Sequence, residues 1–145
     1  MGEVAAIWIK RARGGAMDPA SEAHLVAGAG IAGNANQGGR RQVTVISEEA
    51  WAEAVAEVGV GVEPGARRAN VLVRGIDLRD SRGKILRLGP CVLRLLGETR
   101  PCHQMDEAEP GLRRALETPW RGGAFGEIVT GGVLRIGDEA TLEVE

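Results

Sequence analysis

Cys102 is the side chain in this 145-residue sequence best placed for nucleophilic or metal-binding chemistry. It stands in the segment Arg100-Pro101-Cys102-His103, which we predict to be an exposed loop. A nearby cation such as Arg100 favours the thiolate form of a cysteine, which is the nucleophile and the metal ligand. Cys102 could therefore carry sulfur as a persulfide or ligate a soft metal. From this short segment alone, a cysteine without function is an equally good interpretation.

The other cysteine and the two histidines fit structural roles better. Cys91 shares the period-two spacing of Leu93 and Leu95, so one strand face carries all three, and we predict a buried, inert thiol. His103 is interpreted as solvated and His24 as structural. Two Cys and two His at these separations match no zinc-site spacing. With no secretory signal, the cysteines favour a reducing cytoplasm over a disulfide.

Nine basic residues lie in or beside predicted loops and could form a local cationic pocket, namely Lys10, Arg11, Arg13, Arg40, Arg41, Arg67, Arg68, Arg100 and Arg121. Arg40 and Arg41 follow a glycine-rich loop, Arg67, Arg68 and Asn70 enter a strand, and Arg121 precedes Gly122-Gly123. Each arginine could equally face solvent, and Asn70 could cap a turn. The chain as a whole has a net charge of −2, which gives no general attraction to nucleic acid or membrane. We therefore expect neither as a partner.

The glycine-rich segment 28–39 contains a G-x-G-x-x-G spelling, Gly28-Ala-Gly30-Ile-Ala-Gly33. A dinucleotide-binding loop needs a helix after that motif, whereas here a β-branched run follows. The segment predicts an irregular loop, with an anion site near Arg40 and Arg41 as one interpretation.

The elements that must position these residues are mostly short strands. The 22 glycines punctuate apolar stretches throughout the chain, which indicates many turns. We predict loops over 10–21 and 98–106, a helix capped by Ser47 and ended by Gly59, and a short helix over 110–117. The predicted strands cover 3–9, 24–27, 42–46, 69–74, 85–88, 91–96, 124–130, 133–136 and 139–144.

This density of strands and turns predicts one mainly β domain over residues 1–145, built as a closed or nearly closed β-barrel with one or two peripheral α-helices. With 43% hydrophobic and 26% charged residues, the chain should fold and remain soluble. No apolar run approaches membrane-spanning length. We expect a cytoplasmic protein.

The order of short motifs resembles the MOSC family, the molybdenum cofactor sulfurase C-terminal domain. The matching segments run in order over nearly the whole chain: Gly30-Ile-Ala-Gly33, Arg40-Arg-Gln-Val-Thr-Val-Ile-Ser47, Pro64-Gly65, Arg68-Ala-Asn70, Val73-Arg-Gly75-Ile, Leu88-Gly89, Pro101-Cys102, Arg121-Gly122, Gly131-Gly132 and Ile136-Gly137-Asp138.

The resemblance implies a Greek-key-type barrel in which Cys102 is the family's cysteine. It implies a sulfur carrier or transferase in molybdenum cofactor maturation, working through a persulfide on Cys102. Arg100 would then stabilise the sulfur's charge, and the remaining predicted cofactor-binding residues would hold the anionic molybdopterin: Arg40, Arg41, Arg68, Asn70 and Arg121. The implied partners are a cysteine desulfurase-type sulfur donor and a molybdenum cofactor or its host enzyme.

Two alternatives stay open. Cys102 could ligate molybdenum in a cofactor-binding oxidoreductase, or the chain could be a non-catalytic cofactor-binding module. The second alternative is motivated by a departure from the family pattern Gly-Asp-x-His, which reads here as Gly33-Asn34-Ala35-Asn36. An acid and an imidazole have both become amides, so a proton-transfer role at these positions would be absent or moved.

Overall fold

The computed structural model describes residues 2–143, which form eleven strands and three helices. The strands are β1 (Gly2–Lys10), β2 (Met17–Ala20), β3 (Glu22–Val26), β4 (Gly30–Ile31), β5 (Val43–Ser47), β6 (Val71–Arg74), β7 (Ile85–Leu88), β8 (Cys91–Glu98), β9 (Ala124–Thr130), β10 (Gly132–Arg135) and β11 (Glu139–Glu143). The helices are α1 (Glu48–Val58), α2 (Gln104–Ala108) and α3 (Leu112–Leu116), and a 3₁₀ turn covers Pro64–Arg67.

Seven strands close into a barrel in the order β1, β11, β7, β8, β9, β5, β6 and back to β1. The closing pair is short, with Gly2 opposite Ala140 and Glu3 opposite Glu139. Closure leaves no unpaired edge along most of the sheet. The interior is an apolar core fed by alternate residues of each strand, including the fully buried Val45, Val71 and Leu93. The predicted mainly β, closed barrel is therefore confirmed.

Helix α1 connects the one parallel strand pair of the described residues, β5 and β6. The hydroxyl of Ser47 accepts a hydrogen bond from the backbone N–H of Ala50, and Gly59 ends the helix at a φ of 83°. Trp51 and Ala54 face a small second core shared with α2 and α3. Both predicted helix ends are thus confirmed, because the capping and the apolar spacing are local signals.

Two predicted loops were wrong in part, because they contain regular elements. The loop over 10–21 includes β2, which pairs with the last residues of β1 as an edge strand, where Pro19 is tolerated. The loop over 98–106 includes the start of α2, which Met105 anchors by full burial. Counting α2, three short helices surround the barrel rather than one or two. Among residues 2–143, no helix has the length and apolarity that spanning a membrane requires.

Candidate functional site

Five of the seven predicted site residues line a single cavity of about 210 Å³, namely Arg41, Arg68, Asn70, Arg100 and Cys102. Its wall includes four segments: the end of β1, the segment after β4, the 3₁₀ turn and the segment that joins β8 to α2. These segments are far apart in sequence, so the barrel brings them together. Cys102 therefore shares one cavity with four of the six predicted cofactor-binding residues.

The cavity is strongly positive although the protein is mildly acidic. Among the described residues that line it, none is an aspartate or a glutamate, and five are basic: Lys10, Arg41, Arg67, Arg68 and Arg100. A concave site of one charge sign focuses its potential and attracts ligands of the opposite sign. The arrangement is suited to an anion.

Arg67 is the most buried of these cations, at 7% exposure, and it was not among the predicted cofactor-binding residues. Its Nε donates to the carbonyl of Gly122 at 2.9 Å, and its Nη2 donates to the carbonyl of Thr99 at 3.0 Å. The partner of Nη1 is the sulfur of Met105, at 4.0 Å, a weak acceptor. The guanidinium therefore holds two chain segments beside the cavity without meeting a carboxylate.

Burial lowers the pKa of Arg67 to about 10, with a smaller lowering from Arg41, while the nearby Cys102 opposes the change. The group is still cationic at neutral pH. Burial is also the main reason why the pKa of Lys10 lies below its usual value, and the positive charges of Arg68, Arg13 and Arg41 add to that effect. Both pKa values are lowered mainly by burial, and neighbouring cations lower them further.

Backbone geometry at two positions brings these groups close together. Arg68 adopts a left-handed conformation, with φ of 64°, and its Nη2 donates to the carbonyl of Gly15 at 2.7 Å. A non-glycine residue rarely adopts this conformation. At Gly122, a Cβ atom would lie 2.5 Å from the carbonyl oxygen of Thr99. Gly122 is therefore required for the close approach that lets Arg67 hold both segments.

Asn70 lines the cavity but has its side-chain hydrogen-bonding capacity filled by the protein. Its Oδ1 accepts from the backbone N–H and the hydroxyl of Thr44, at 3.1 and 3.2 Å. Its Nδ2 donates to the carbonyl of Trp8 and to Oδ1 of Asn34, both at 3.2 Å. These bonds connect β1, β5 and the segment after β4, so the amide positions the cavity wall.

Asn34 and Asn36, which replace an acid and an imidazole of the family pattern, both line the cavity. Asn34 is buried, and its Oδ1 accepts from the backbone N–H of Lys10 at 2.8 Å and from Asn70. A carboxylate oxygen could accept the same two hydrogen bonds, so the amide keeps this contact but removes a negative charge. The replacement leaves the cavity more positive than the family pattern implies.

Cys102 is partly exposed in the cavity wall, and its thiol donates to Oε1 of Gln104 at 3.7 Å. Its carbonyl accepts the N–H of Met105 at 3.0 Å, which fixes the residue to the start of α2. The neighbouring His103 is exposed and lies 3.9 Å from Glu107, as its solvated interpretation predicted. The Cys102 sulfur is thus open to a ligand from the cavity side.

Cys91, by contrast, is fully buried on the same strand face as Leu93 and Leu95, as predicted. Burial and the charge of Asp138 raise the pKa of its thiol. Both cysteines are free.

The other two predicted arginines are not brought into this cavity. Arg40 is exposed and absent from its lining. Arg121 lines a larger cavity of about 500 Å³ between α1 and the segment after β6. Its guanidinium pairs with Glu57 and Glu53 and donates to the carbonyl of Ala115. In this position its charge is neutralised within the protein.

Arg67 and Lys10 were two of nine basic residues expected near loops, but spacing could not show which of the nine would line the cavity. Arg67 is adjacent to Arg68, and only the 3₁₀ turn decides that one guanidinium is buried while the other is partly exposed. Lys10 is the last residue of β1, and it is half-buried like several other residues of that strand, so its burial does not distinguish it. The available signal was only their position beside predicted loops, which they share with basic residues outside the cavity such as Arg40.

Within residues 2–143, no three His, Cys, Asp or Glu side chains are grouped so as to hold a metal ion. In the cavity itself, Cys102 is the one thiol among the described lining residues.

Known structures share this fold at low sequence identity. YuaD from Bacillus subtilis has a TM-score of 0.81 at 21% identity, over 97% of this chain and 94% of that one. YiiM from Geobacillus stearothermophilus has a TM-score of 0.75 at 15% identity, over 99% and 76%. YiiM from Escherichia coli has a TM-score of 0.67 at 16% identity, over 100% and 71%. A search of curated protein sequences finds no significant match.

The family comparison is more direct than these structural likenesses. The model of the MOSC domain matches residues 30–141, which span most of the barrel and the whole segment around Cys102. That match relates the chain to molybdenum cofactor chemistry, as the motif order implied. With the closed barrel and the match over most of its length, the chain belongs to the MOSC domain family.

Proposed function

We propose that the cavity binds an anionic cofactor of the molybdopterin type and that Cys102 carries sulfur to it as a persulfide. The single observation that supports this best is a partly exposed thiol in the wall of a cavity with five basic and no acidic side chains. A structural cysteine needs no such surroundings, as Cys91 shows.

The cavity suits one end of such a cofactor rather than all of it. Its volume of about 210 Å³ is below the roughly 300 Å³ at which drug-sized ligand pockets begin. An open groove continues from it and shares Met17, Arg68 and Gln104 with its lining. Arg41, Arg100 and Lys10 would bind the anionic groups, and the remainder of the molecule would lie along the groove. When bound, the cofactor would supply a metal that accepts sulfur.

The first step is the transfer of a sulfur atom onto Cys102. Its thiolate attacks the outer sulfur of a persulfide on the donor, a cysteine desulfurase-type enzyme. The donor's S–S bond breaks, a new S–S bond forms on Cys102, and the donor keeps the electron pair as a thiolate. The product carries negative charge on the outer sulfur, which the surrounding cations stabilise.

Release of the sulfur needs a second thiol. A thiolate that attacks the inner sulfur of Cys102 forms a mixed disulfide and frees the outer atom as hydrosulfide, so atoms and electrons balance. The positive cavity would retain hydrosulfide beside the bound cofactor or its host enzyme until it is used.

Mass spectrometry tests the first step directly. The purified protein is incubated with a cysteine desulfurase and cysteine, and its peptides are mapped without a reducing agent. We expect the Cys102 peptide to gain the mass of one sulfur atom and Cys102→Ser to gain none. Cys91→Ser is the matched control, and it should gain sulfur like the wild-type protein. An unmodified Cys102 in a reaction that modifies the desulfurase itself would contradict the proposal.

A second role for Cys102 is that of a metal ligand in a cofactor-dependent oxidoreductase. It is favoured by the absence, within residues 2–143, of any His, Cys, Asp or Glu cluster at the site, because a cofactor that brings its own sulfur ligands needs only one from the protein. Metal analysis of protein from a cofactor-producing host tests it. Stoichiometric molybdenum that Cys102→Ser loses would support this role, and absence of molybdenum would exclude it.

The replacement of an acid and an imidazole by Asn34 and Asn36 motivates a third role, a non-catalytic binding module. In that role Cys102 would react with an alkylating reagent no faster than a free cysteine. A faster reaction, lost on adding sulfate as a competing anion, would exclude it.

A further inference from the structure

We propose that the same cavity also accepts a small anionic sulfur donor of the thiosulfate class, from which Cys102 takes sulfur without a partner protein. This inference rests on the proposed function, because both need a persulfide on Cys102. It differs in the donor, which would be a free oxyanion rather than a protein-bound persulfide.

Size and charge both favour a small oxyanion. The cavity volume of about 210 Å³ corresponds to about seven water molecules at roughly 30 Å³ each. A sulfonate group with one further sulfur atom fits that volume whole, whereas a drug-sized cofactor does not. The charge of a dianion also matches a lining with five cations and no carboxylate.

Arg67 supplies a fixed cation in the cavity wall. Two of its nitrogens are held by the carbonyls of Thr99 and Gly122, which leaves Nη1 with only a thioether contact. The same guanidinium is close enough to Cys102 for their charges to interact. An oxyanion here would meet a donor whose orientation is already set, and pre-organised donors bind charge without a cost of ordering.

Thr99 provides a second, independent observation. It lines the cavity and is only 7% exposed, and its hydroxyl has no hydrogen-bond partner. A buried hydroxyl without a partner is uncommon in folded proteins and calls for an explanation, such as a bound group. The hydroxyl lies just behind the cavity surface, so a sulfonate oxygen beside Arg67 would satisfy it once the wall admits the ligand.

Three more cations could close around the other side of the ligand. Arg41 and Arg100 are exposed, Lys10 is half-buried, and no side-chain hydrogen bond from any of them occurs within the described part of the chain. Arg41 is held beside the ring of Phe125, 5.1 Å from its centroid. Their donors are therefore available to sulfonate oxygens, leaving the outer sulfur for Cys102.

The chemistry is a balanced displacement. The Cys102 thiolate attacks the outer sulfur of thiosulfate, the S–S bond breaks, and sulfite leaves with the electron pair. Cys102 is left as a persulfide anion. Cyanide can then attack the outer sulfur, forming thiocyanate and regenerating the Cys102 thiolate. Neither step requires an external oxidant or reductant.

The test uses the purified full chain with thiosulfate alone. We expect sulfite to appear in proportion to a gain of one sulfur atom at Cys102, and thiocyanate to accumulate when cyanide is added. Cys102→Ser should give none of these products. Sulfate, which has no transferable sulfur, should inhibit competitively.

Charge variants show whether the cavity or merely an exposed thiol is responsible. Arg41→Gln and Arg100→Gln are exposed changes that should fold, and each should lower kcat/KM about tenfold, because one charge-assisted hydrogen bond is lost. Arg113→Gln is the matched control, since Arg113 is exposed on α3, away from the cavity lining, and it should react like the wild-type protein. Equal rates in all four proteins would overturn the inference.

Different results would contradict the proposed function and the thiosulfate inference. If the desulfurase places sulfur on Cys102 but thiosulfate does not, the inference is wrong and the proposed function stands. If thiosulfate reacts and the desulfurase does not, this inference stands with a small-molecule donor in place of the protein donor. If neither places sulfur on Cys102, both are wrong.

Discussion

Two arginines that contact the same short segment show how differently the fold uses the same side chain. Arg67 and Arg121 are both largely buried; Arg121 belongs to the segment from Thr118 to Gly123, and Arg67 donates to the carbonyl of Gly122 in that segment. Arg121 meets two carboxylates of α1, whereas Arg67 meets only neutral carbonyls and a thioether. One charge is cancelled within the protein and the other is not.

From this difference we expect Arg121 to act as a structural cation and Arg67 to be available to a ligand. The carboxylates of Glu53 and Glu57 neutralise the guanidinium of Arg121. Arg121 therefore connects α1 to the segment before β9 and attracts a further anion only weakly. A buried guanidinium without a counter-ion is unfavourable by itself, which its lowered pKa reflects. An anion bound beside Arg67 would supply the missing counter-charge.

Among the variants that test this difference, Arg67→Met should show the largest change in stability and in anion binding. The carbonyls of Thr99 and Gly122 lose their donor, so we expect the free energy of unfolding to fall by about 1–3 kcal/mol. Anion binding should fall more than stability, because the fixed cation is gone. Urea denaturation measures the first effect and calorimetric titration with sulfate the second.

Arg67→Lys gives the control for a purely structural role. Lysine keeps the charge but cannot hold two carbonyls in the same fork. Partial recovery of sulfate affinity, with stability still reduced, would support the electrostatic role. If both Arg67→Met and Arg67→Lys bind sulfate like the wild-type protein, the comparison with Arg121 loses its basis.

Arg121→Met should be the next largest change, and on stability alone. The carboxylates of Glu53 and Glu57 are exposed, so they can return to solvent when the pair is lost. We expect a loss of about 1 kcal/mol in the free energy of unfolding, from the pair and the contact with Ala115. Sulfate affinity should stay within twofold of wild type, whereas a tenfold loss would favour the sequence-based assignment of Arg121 to the cofactor site.

The sequence predicts the fold better than it predicts which basic side chains line the cavity and which pair with carboxylates. Helix α1 follows from its cap, its apolar spacing and Gly59, which all act within one segment. The placement of Arg121 depends on α1 passing over a segment more than 60 positions later in the chain, as its contact with Glu57 shows. No periodicity carries such information. Motif order identified Cys102, but only barrel closure shows that Arg67 lies beside it.

Arg40 and Arg41 allow a sharper test of placement, because they are neighbours with the same side chain. Both are exposed, yet only Arg41 lines the cavity. We expect Arg41→Gln to weaken sulfate binding about tenfold and Arg40→Gln to weaken it less than threefold, through general charge alone. The salt dependence of binding separates the two effects. Equal losses would mean that the general positive potential, and not the cavity lining, governs affinity.

The smallest expected effect is a pH dependence that Lys10 introduces. Burial and three neighbouring arginines lower the pKa of its ammonium group, so it loses its proton at a lower pH than an ordinary lysine. The protonated form attracts the anion, and sulfate affinity should therefore be constant near neutral pH and begin to decline at a lower pH than an ordinary lysine would produce. Lys10→Met should bind sulfate a few-fold more weakly at neutral pH and show a flatter profile over the same range, measured by calorimetry at constant ionic strength. An unchanged decline in Lys10→Met would assign the titration to another cation of the cavity, and the positive charge of Lys10 would then have no part in anion binding.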